Sequence, residues 1–475
     1  MAQPKKTQTL NRLEKSPTGI RGLDEITGGG LPKGRPTLIC GSAGAGKTVF
    51  AMEFLARGAL EFNEPGVYMS FEENAEELIK NFSSLGYNLD RLCSRKKLVI
   101  DYVFIERSQI IETGEYDLEG LFVRLEHAID SIGAKRVVLD TLEALFSGFH
   151  DTFVLRAELR RLFRWLKDKG VTAMVTGERG ERTLTRHGLE EYVADCVIML
   201  DHRVTEQIST RRLRVLKYRG SSHGTNEYPF LIREDGVSVF PITSLSVDRK
   251  AGRERVSSGI PQLDDMLEGK GYYRGSTVLV SGGPGTGKTS MAAALVSSAC
   301  QRGEPCLYFA FEESESEIAR NMGSIGMDLE PWTRKGLLHF EASRPTTFGL
   351  EEHLSVVHKR IEEAKPSLVI LDPITNFISV GASLDVKSMI TRLIDFVKSK
   401  QITTFFTSLS QSAGAPEHTD TAVSSLMDTW IVLQHMESGG ERIRKLYILK
   451  SRGTAHSNRI REFRITSHGI ALADA

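Results

Sequence analysis

Thr37-Leu-Ile-Cys40-Gly41-Ser-Ala-Gly44-Ala45-Gly46-Lys47-Thr48-Val49 decides the fold: an apolar, β-type run turns through a glycine-rich loop into an apolar, helix-compatible run. Its centre fits G-x-x-x-x-G-K-[ST], in which loop N–H groups and the start of the next helix form a concave donor array for phosphate oxygens. Thr277-Val-Leu-Val280, followed by Gly282-Gly-Pro-Gly285-Thr286-Gly287-Lys288-Thr289-Ser290, repeats the pattern. Lys47 and Lys288 would bring a cation to the β- and γ-phosphates of ATP, and Thr48 and Thr289 a hydroxyl to Mg2+. A chance glycine-rich turn lacks the strand before and the helix after, so two nucleotide sites are expected.

Working outward, Lys47 and Lys288 stand 288 − 47 = 241 positions apart, and other features recur in the same order at nearly that offset. Thr18-Gly-Ile20 and Leu23-Asp24 precede the first loop as Ser258-Gly-Ile260 and Leu263-Asp264 precede the second. Tyr68-Met-Ser-Phe71-Glu72-Glu73 is echoed by Tyr308-Phe-Ala-Phe311-Glu312-Glu313, and Asn81 to Leu89 by Asn321 to Leu329. The chain reads as a duplicated domain: an extension over 1–15, a first domain over 16–242, a linker over 243–256 and a second domain over 257–475. Strands alternating with helical segments give the α/β class, with a mostly parallel central sheet flanked by helices in each domain.

Further chemistry-bearing residues follow each loop. Val137-Val-Leu-Asp140 and Leu368-Val-Ile-Leu-Asp372 are apolar strands ending in Asp, candidate carboxylates for Mg2+ through water. Glu72-Glu73 and Glu312-Glu313 each offer a carboxylate to orient or deprotonate an attacking oxygen, the bland alternative being an acidic helix start. Late in each domain come Lys217-Tyr-Arg219-Gly-Ser-Ser-His223 and Lys450-Ser-Arg452-Gly-Thr-Ala-His456. Such basic pairs are either an exposed strand face or arginine fingers reaching a neighbour's site, which requires subunits packed head to tail.

Composition narrows the function classes. Lys+Arg and Asp+Glu both number 61, so no overall basic footprint marks a nucleic-acid binder. The five cysteines contain no C-x-x-C pair, so neither a zinc site nor a disulfide framework is indicated. No stretch approaches the roughly 20 apolar residues of a membrane span, and the polar N-terminus has no signal-peptide core. A cytoplasmic protein is expected.

The tandem loops, the Phe-Glu-Glu triplets, both Lys-x-Arg-Gly-x-x-His motifs and Arg186-His-Gly-Leu-Glu190-Glu191-Tyr-Val-Ala-Asp195 together resemble the KaiC family of circadian clock ATPases and autokinases, in the RecA superfamily. The resemblance runs from about residue 16 to residue 466 and implies two tandem RecA-like P-loop domains stacked as the two rings of a homohexamer, with ATP between subunits. It makes Glu72 and Glu312 the catalytic bases, with Glu73 and Glu313 beside them as further catalytic candidates and Glu312 also a candidate metal ligand. Lys217, Arg219, Lys450 and Arg452 would touch nucleotide across the interface, with Ser84, His223, Ser324, Arg444 and His456 at nucleotide-proximal positions. The family phosphorylates an adjacent Ser-Thr pair in its second domain. Here that place holds Ser424-Ser425, with Thr419 matching a further hydroxyl.

Departures from the family matter. Ser425 stands where the second acceptor is Thr, and Pro373 follows Asp372 where Ser is usual. The chain ends at Ala475 without the tail that meets the activator KaiA, so KaiA-type stimulation is not expected, whereas a KaiB-like partner on the first domain is compatible with the resemblance. Two other classes compete: a RecA-type motor on DNA, which needs basic or aromatic channel loops, and a signalling scaffold whose nucleotide state controls docking without phosphotransfer.

Overall fold

The computed structural model describes residues 13–103, 118–146, 152–180, 193–205, 208–241, 252–347, 349–381, 383–410, 424–438 and 440–473. Thr419, residues 186–192 of the Arg186 segment, 1–12 of the expected extension and 243–251 of the expected linker lie outside the described residues. The chain divides into two compact units, Met1–Ile242 and Thr243–Ala475.

In the first unit the strands Pro36–Gly41 (β1), Gly66–Ser70 (β2), Leu98–Tyr102 (β3), Arg136–Asp140 (β4), Thr172–Glu178 (β5), Cys196–Thr205 (β6), Ile208–Tyr218 (β7), Tyr228–Arg233 (β8) and Gly236–Val239 (β9) make one sheet. Its order is β9-β8-β7-β6-β1-β5-β4-β2-β3, parallel from β6 to β3 and antiparallel from β6 to β9. The second unit has Thr277–Gly282 (β10), Cys306–Ala310 (β11), Leu338–Ala342 (β12), Leu368–Asp372 (β13), Thr403–Leu409 (β14), Thr429–Ser438 (β15), Glu441–Ser451 (β16), Arg461–Thr466 (β17) and Gly469–Leu472 (β18). Their order, β18-β17-β16-β15-β10-β14-β13-β11-β12, repeats the first sheet strand for strand. This is the tandem RecA-like α/β architecture expected from the sequence.

Why these segments fold so is visible in the apolar runs. Successive side chains of a strand point to opposite faces, and a parallel sheet covered on both sides buries both. In β1, Ile39 packs with Phe50 and Phe54 of the helix Lys47–Glu61 (α1), whereas Leu38 and Cys40 pack on the other face with Leu159 and Leu162 of the helix Thr152–Asp168. In the second unit Val278 and Val280 meet Met291 and Leu295 of the helix Lys288–Gln301 (α2). The phosphate-loop strand is therefore central and clamped, and its loop leaves the sheet between helices at a fixed place.

One charged group is wholly enclosed. Arg136, at the start of β4, has no exposed surface; it donates to Glu64 Oε2 (2.6 Å) and to the carbonyls of Phe54 (2.8 Å) and Pro17 (2.7 Å). Its guanidinium lies 4.5 Å from the Phe54 ring centroid, so every face of the cation has a partner.

Candidate nucleotide sites

The loops are shaped by glycine. Gly46 and Gly287, each the residue before its helix, have φ of +98° and +102°, in the left-handed region that L side chains rarely adopt. A Cβ at Gly46 would also lie 2.5 Å from Ile232 Cδ1 on β8. Helices α1 and α2 then start at Lys47 and Lys288, with no side-chain cap on their first N–H groups. Those open donors have the arrangement that the sequence pattern predicts for a phosphate cradle. Gly44, Ala45, Gly285 and Thr286 lie in the loops and Val49 and Ser290 in the first helical turns; Thr286 Oγ1 braces its own loop by donating to Gly283 O at 2.8 Å.

Both lysines are buried and fold back on the loop. Lys47 Nζ donates to Gly41 O (2.9 Å) and Ser42 O (3.1 Å), and Lys288 Nζ to Gly282 O and Gly283 O (2.9 Å each). Burial lowers the Lys288 pKa below the usual lysine value, against the opposing pull of Asp372 and Glu312.

Beside each lysine a hydroxyl and a carboxylate converge. Thr48 Oγ1 donates to Asp140 Oδ2 and Thr289 Oγ1 to Asp372 Oδ2, both at 2.9 Å. Asp140 also accepts from Tyr68 and Thr176, and Asp372 from Tyr308 and Thr407. These four donors received no role from sequence reasoning, although Tyr68 and Tyr308 stand at matching places in the repeated segment; their partner lies on a neighbouring strand, a relation that no local pattern reveals. A Thr hydroxyl and an Asp carboxylate are hard oxygen ligands, the donor type that Mg2+ selects, and the residues present fit it.

The glutamate pairs follow β2 and β11. Glu72 Oε1 accepts from Thr141 Oγ1 at 2.9 Å. In the second unit Pro373 replaces that threonine, and among the described residues no side chain hydrogen-bonds the Glu312 carboxylate. Asp372 keeps the same set of donors as Asp140, so the proline changes the surroundings of the glutamate and not those of the aspartate. Glu73 and Glu313 accept weak hydrogen bonds from Asn81 (3.5 Å) and Asn321 (3.3 Å). Burial, then the charge of the neighbouring Asp140 or Asp372, pushes both carboxyl pKa values up.

A cavity of about 430 Å3 opens on the second loop, lined by Lys288, Thr289, Glu312, Glu313 and Asp372 among others. A second cavity, about 680 Å3, shares Glu312 and Leu409 with it and is lined by Arg344, Thr346, Asn376 and Ser379. Glu312 thus lines both cavities.

The Lys-x-Arg motifs lie elsewhere. Val278 on β10 pairs with Thr429, and Thr429 with Ser451, which sits between Lys450 and Arg452; Gly282, where the loop leaves, pairs with Leu433. The motif is therefore level with the beginning of β10, about 13 Å of strand from its own phosphate loop. There Asp428 accepts from Thr277 N and Oγ1 (2.9 Å each) and pairs with Lys398 (2.8 Å) and Arg452 (3.9 Å). Burial disfavours the Asp428 charge, but the Lys398 and Thr277 hydrogen bonds outweigh it and hold its pKa below the usual carboxylate value. Lys450 Nζ donates to Ser424 O (2.9 Å) and Ser425 O (3.4 Å), and Arg452 Nη2 to Ser425 O (2.7 Å). In the first unit Tyr218, between Lys217 and Arg219, is level with Cys196 and Thr37, while Gly41 pairs with Leu200; Arg219 and Lys167 meet Asp195 there.

The other expected residues are distributed between these places. Arg444 Nε reaches Gly285 O at 3.2 Å, so it touches the second loop directly. Ser84 and Ser324 cap the helices after the glutamate pairs, their hydroxyls donating to Asn81 O and Asn321 O. His223 stacks on Tyr218 and His456 contacts Thr454 O, both near their Lys-x-Arg motif and away from the loop of the same unit.

Two mostly parallel sheets, each with a glycine loop, a buried lysine and a Thr–Asp pair at the end of its central strands, define a tandem P-loop ATPase of the RecA type. The family model for the KaiC ATPase matches residues 16–244 and 256–475. The circadian clock protein KaiC2 of Synechocystis sp. is 57% identical over 99% of this chain and 83% of its own length. Circadian clock oscillator proteins KaiC of Parathermosynechococcus lividus and Synechococcus elongatus are 37% and 36% identical, covering 98% and 100% of this chain and 86% and 92% of theirs. The chain belongs to the KaiC family, and with that membership go nucleotide binding and ATP hydrolysis. No helix among the described residues is long and apolar enough to cross a membrane.

Proposed function

We propose that the chain is a Mg2+-dependent ATPase working as a cytoplasmic homohexamer of two rings, residues 16–242 and 257–475, and that its second half transfers the γ-phosphoryl group of ATP to Ser424 or Ser425 of a neighbouring copy. The observation that carries this reading is the separation of parts: Lys450, Arg452 and both serines sit at the opposite end of the sheet from the loop of their own chain. A loop at one end and its complement at the other join when identical copies pack head to tail, which closes into a ring.

In this reading the loop N–H groups and Lys288 hold the β- and γ-phosphates of ATP, and Lys450 and Arg452 of the adjacent copy bring positive charge to the transferring group. Thr289 and Asp372, with Glu312 nearby, would hold Mg2+, as Thr48 and Asp140 would in the first half; bound there, the ion neutralises charge on the β- and γ-oxygens. Glu312 takes the proton of the attacking oxygen. That oxygen is water in hydrolysis, or a serine hydroxyl entering through the 680 Å3 chamber in transfer; the P–O bond to the β-phosphate breaks and ADP leaves. Glu72 acts likewise on water in the first half. The names of the relatives support a clock-type or related signalling role; a KaiB-like partner on the first half belongs to the same proposal.

The test is phosphate incorporation from Mg-ATP with mass-spectrometric site mapping, beside Glu312→Gln. Label on Ser424 or Ser425 that disappears in the variant supports the autokinase. ADP release with neither serine labelled would leave an ATPase whose nucleotide state controls docking.

A further inference from the structure

Among the five cysteines, two form a pair. Cys300, in the last turn of α2, and Cys306, the first residue of β11, place their Sγ atoms 3.7 Å apart. Both are buried, at 2% and 1% exposure, beneath the turn Gln301-Arg302-Gly303-Glu304-Pro305. The pair has no counterpart in the first half, where Ala59 and Gly66 occupy the matching places, so the duplicated fold does not require it.

We propose that Cys300 and Cys306 are a reversible modification site, closing to an intramolecular disulfide when a small peroxide reaches them. A disulfide needs its sulfurs about 2.0 Å apart, so they must approach by about 1.7 Å. The turn between them can give: Gln301, Arg302 and Gly303 are exposed, and Gly303, at φ +77°, has no atom within 4 Å of the space a Cβ would fill. Burial selects a small oxidant over a bulky disulfide. Cys300 reacts first: the Cys306 thiol beside it and the nearby Arg302 lower its thiol pKa, whereas Cys306 is pushed up by the same contact and by burial.

The steps balance. The Cys300 thiolate attacks one peroxide oxygen, the O–O bond breaks, and a sulfenic acid forms with one water after protonation. The Cys306 thiol attacks the Cys300 sulfur, its proton leaves with the sulfenic hydroxyl as a second water, and the S–S bond forms. Two thiols lose two electrons to one hydrogen peroxide. The bond would tie the far end of α2, whose near end carries Lys288 and Thr289, to the strand leading to Glu312.

The experiment treats the full chain with hydrogen peroxide, alkylates remaining thiols after unfolding, and digests with trypsin, which cuts after Arg302 and so reads the bond as two joined peptides. Joined Cys300 and Cys306 peptides, separated again by dithiothreitol, together with dimedone capture of Cys300 in Cys306→Ala, are the expected results. Both cysteines remaining alkylatable at peroxide doses that oxidise Cys93 would overturn the proposal, as would Cys306→Ala giving no dimedone adduct at Cys300.

Discussion

Placement of the Lys-x-Arg motif at the far end of the sheet makes a quantitative forecast about mixed assemblies. Lys288→Ala removes the cation from the second loop and should abolish its turnover, and Arg452→Ala removes the proposed finger; an arginine finger is worth about 10³–10⁵ in rate, so Arg452→Ala alone keeps less than about 0.1% of second-half turnover. With about 13 Å of strand between the two parts, one chain cannot bring its own Arg452 to its own loop. If the two variants are co-expressed at equal levels, a site is intact when its loop comes from an Arg452→Ala chain and its finger from a Lys288→Ala neighbour. Each condition is met half the time, so about one quarter of second-half sites recover in closed rings. The assay is ADP release in a Glu72→Gln background, which silences the first half. Asp428 keeps Lys398 and Thr277 when Arg452 is lost, so folding is preserved. No recovery in an assembled mixture would show that each chain completes its own site, and the ring reading would fall.

Three further outcomes are expected. Arg136→Met leaves Glu64 and two carbonyls without their donor and should destabilise the first unit by about 3 kcal/mol, read as lost hydrogen-exchange protection in β4; a change below about 1 kcal/mol would refute the enclosed-cation account. Thr141→Val removes the hydroxyl that orients Glu72 and, in a Glu312→Gln background, should lower first-half kcat by roughly ten- to a hundredfold, since a hydrogen bond to a charged group contributes roughly 1.5–3 kcal/mol; an unchanged kcat would make that contact incidental. Glu313, raised above its ordinary 4.5 by burial and then by Asp372, binds more protons folded than unfolded between those two values, so the nucleotide-free chain loses stability as pH rises through that window and stays at the deficit above it. Glu313→Gln should therefore raise Tm more at about pH 7.5 than at about pH 4, and an equal gain at both would contradict the sign.

The phosphate loops, the strand-end aspartates and the duplicated α/β plan were legible because each is local: a few residues in order specify strand, turn and helix. Position along the sheet was not. That Ser451 is level with Thr429, and Thr429 with Val278, depends on the register between β10, β15 and β16, which no spacing in the sequence encodes. The clasp of Lys450 and Arg452 on the carbonyls of Ser424 and Ser425 was invisible for the same reason. Pro373 could be noticed in the sequence as a departure, but its effect could not, because Thr141 and Glu72 lie 69 positions apart and meet only in the folded chain.

That single difference gives the molecule an internal reference. Both halves share one temperature, one nucleotide concentration and one ionic strength in any tube, and their aspartates hold matching partners, Thr48, Tyr68 and Thr176 in one and Thr289, Tyr308 and Thr407 in the other. A change in conditions that alters both turnover rates in proportion acts on what the halves have in common. A change that alters their ratio reports on what they do not, foremost whether a threonine hydroxyl or a proline stands beside the glutamate.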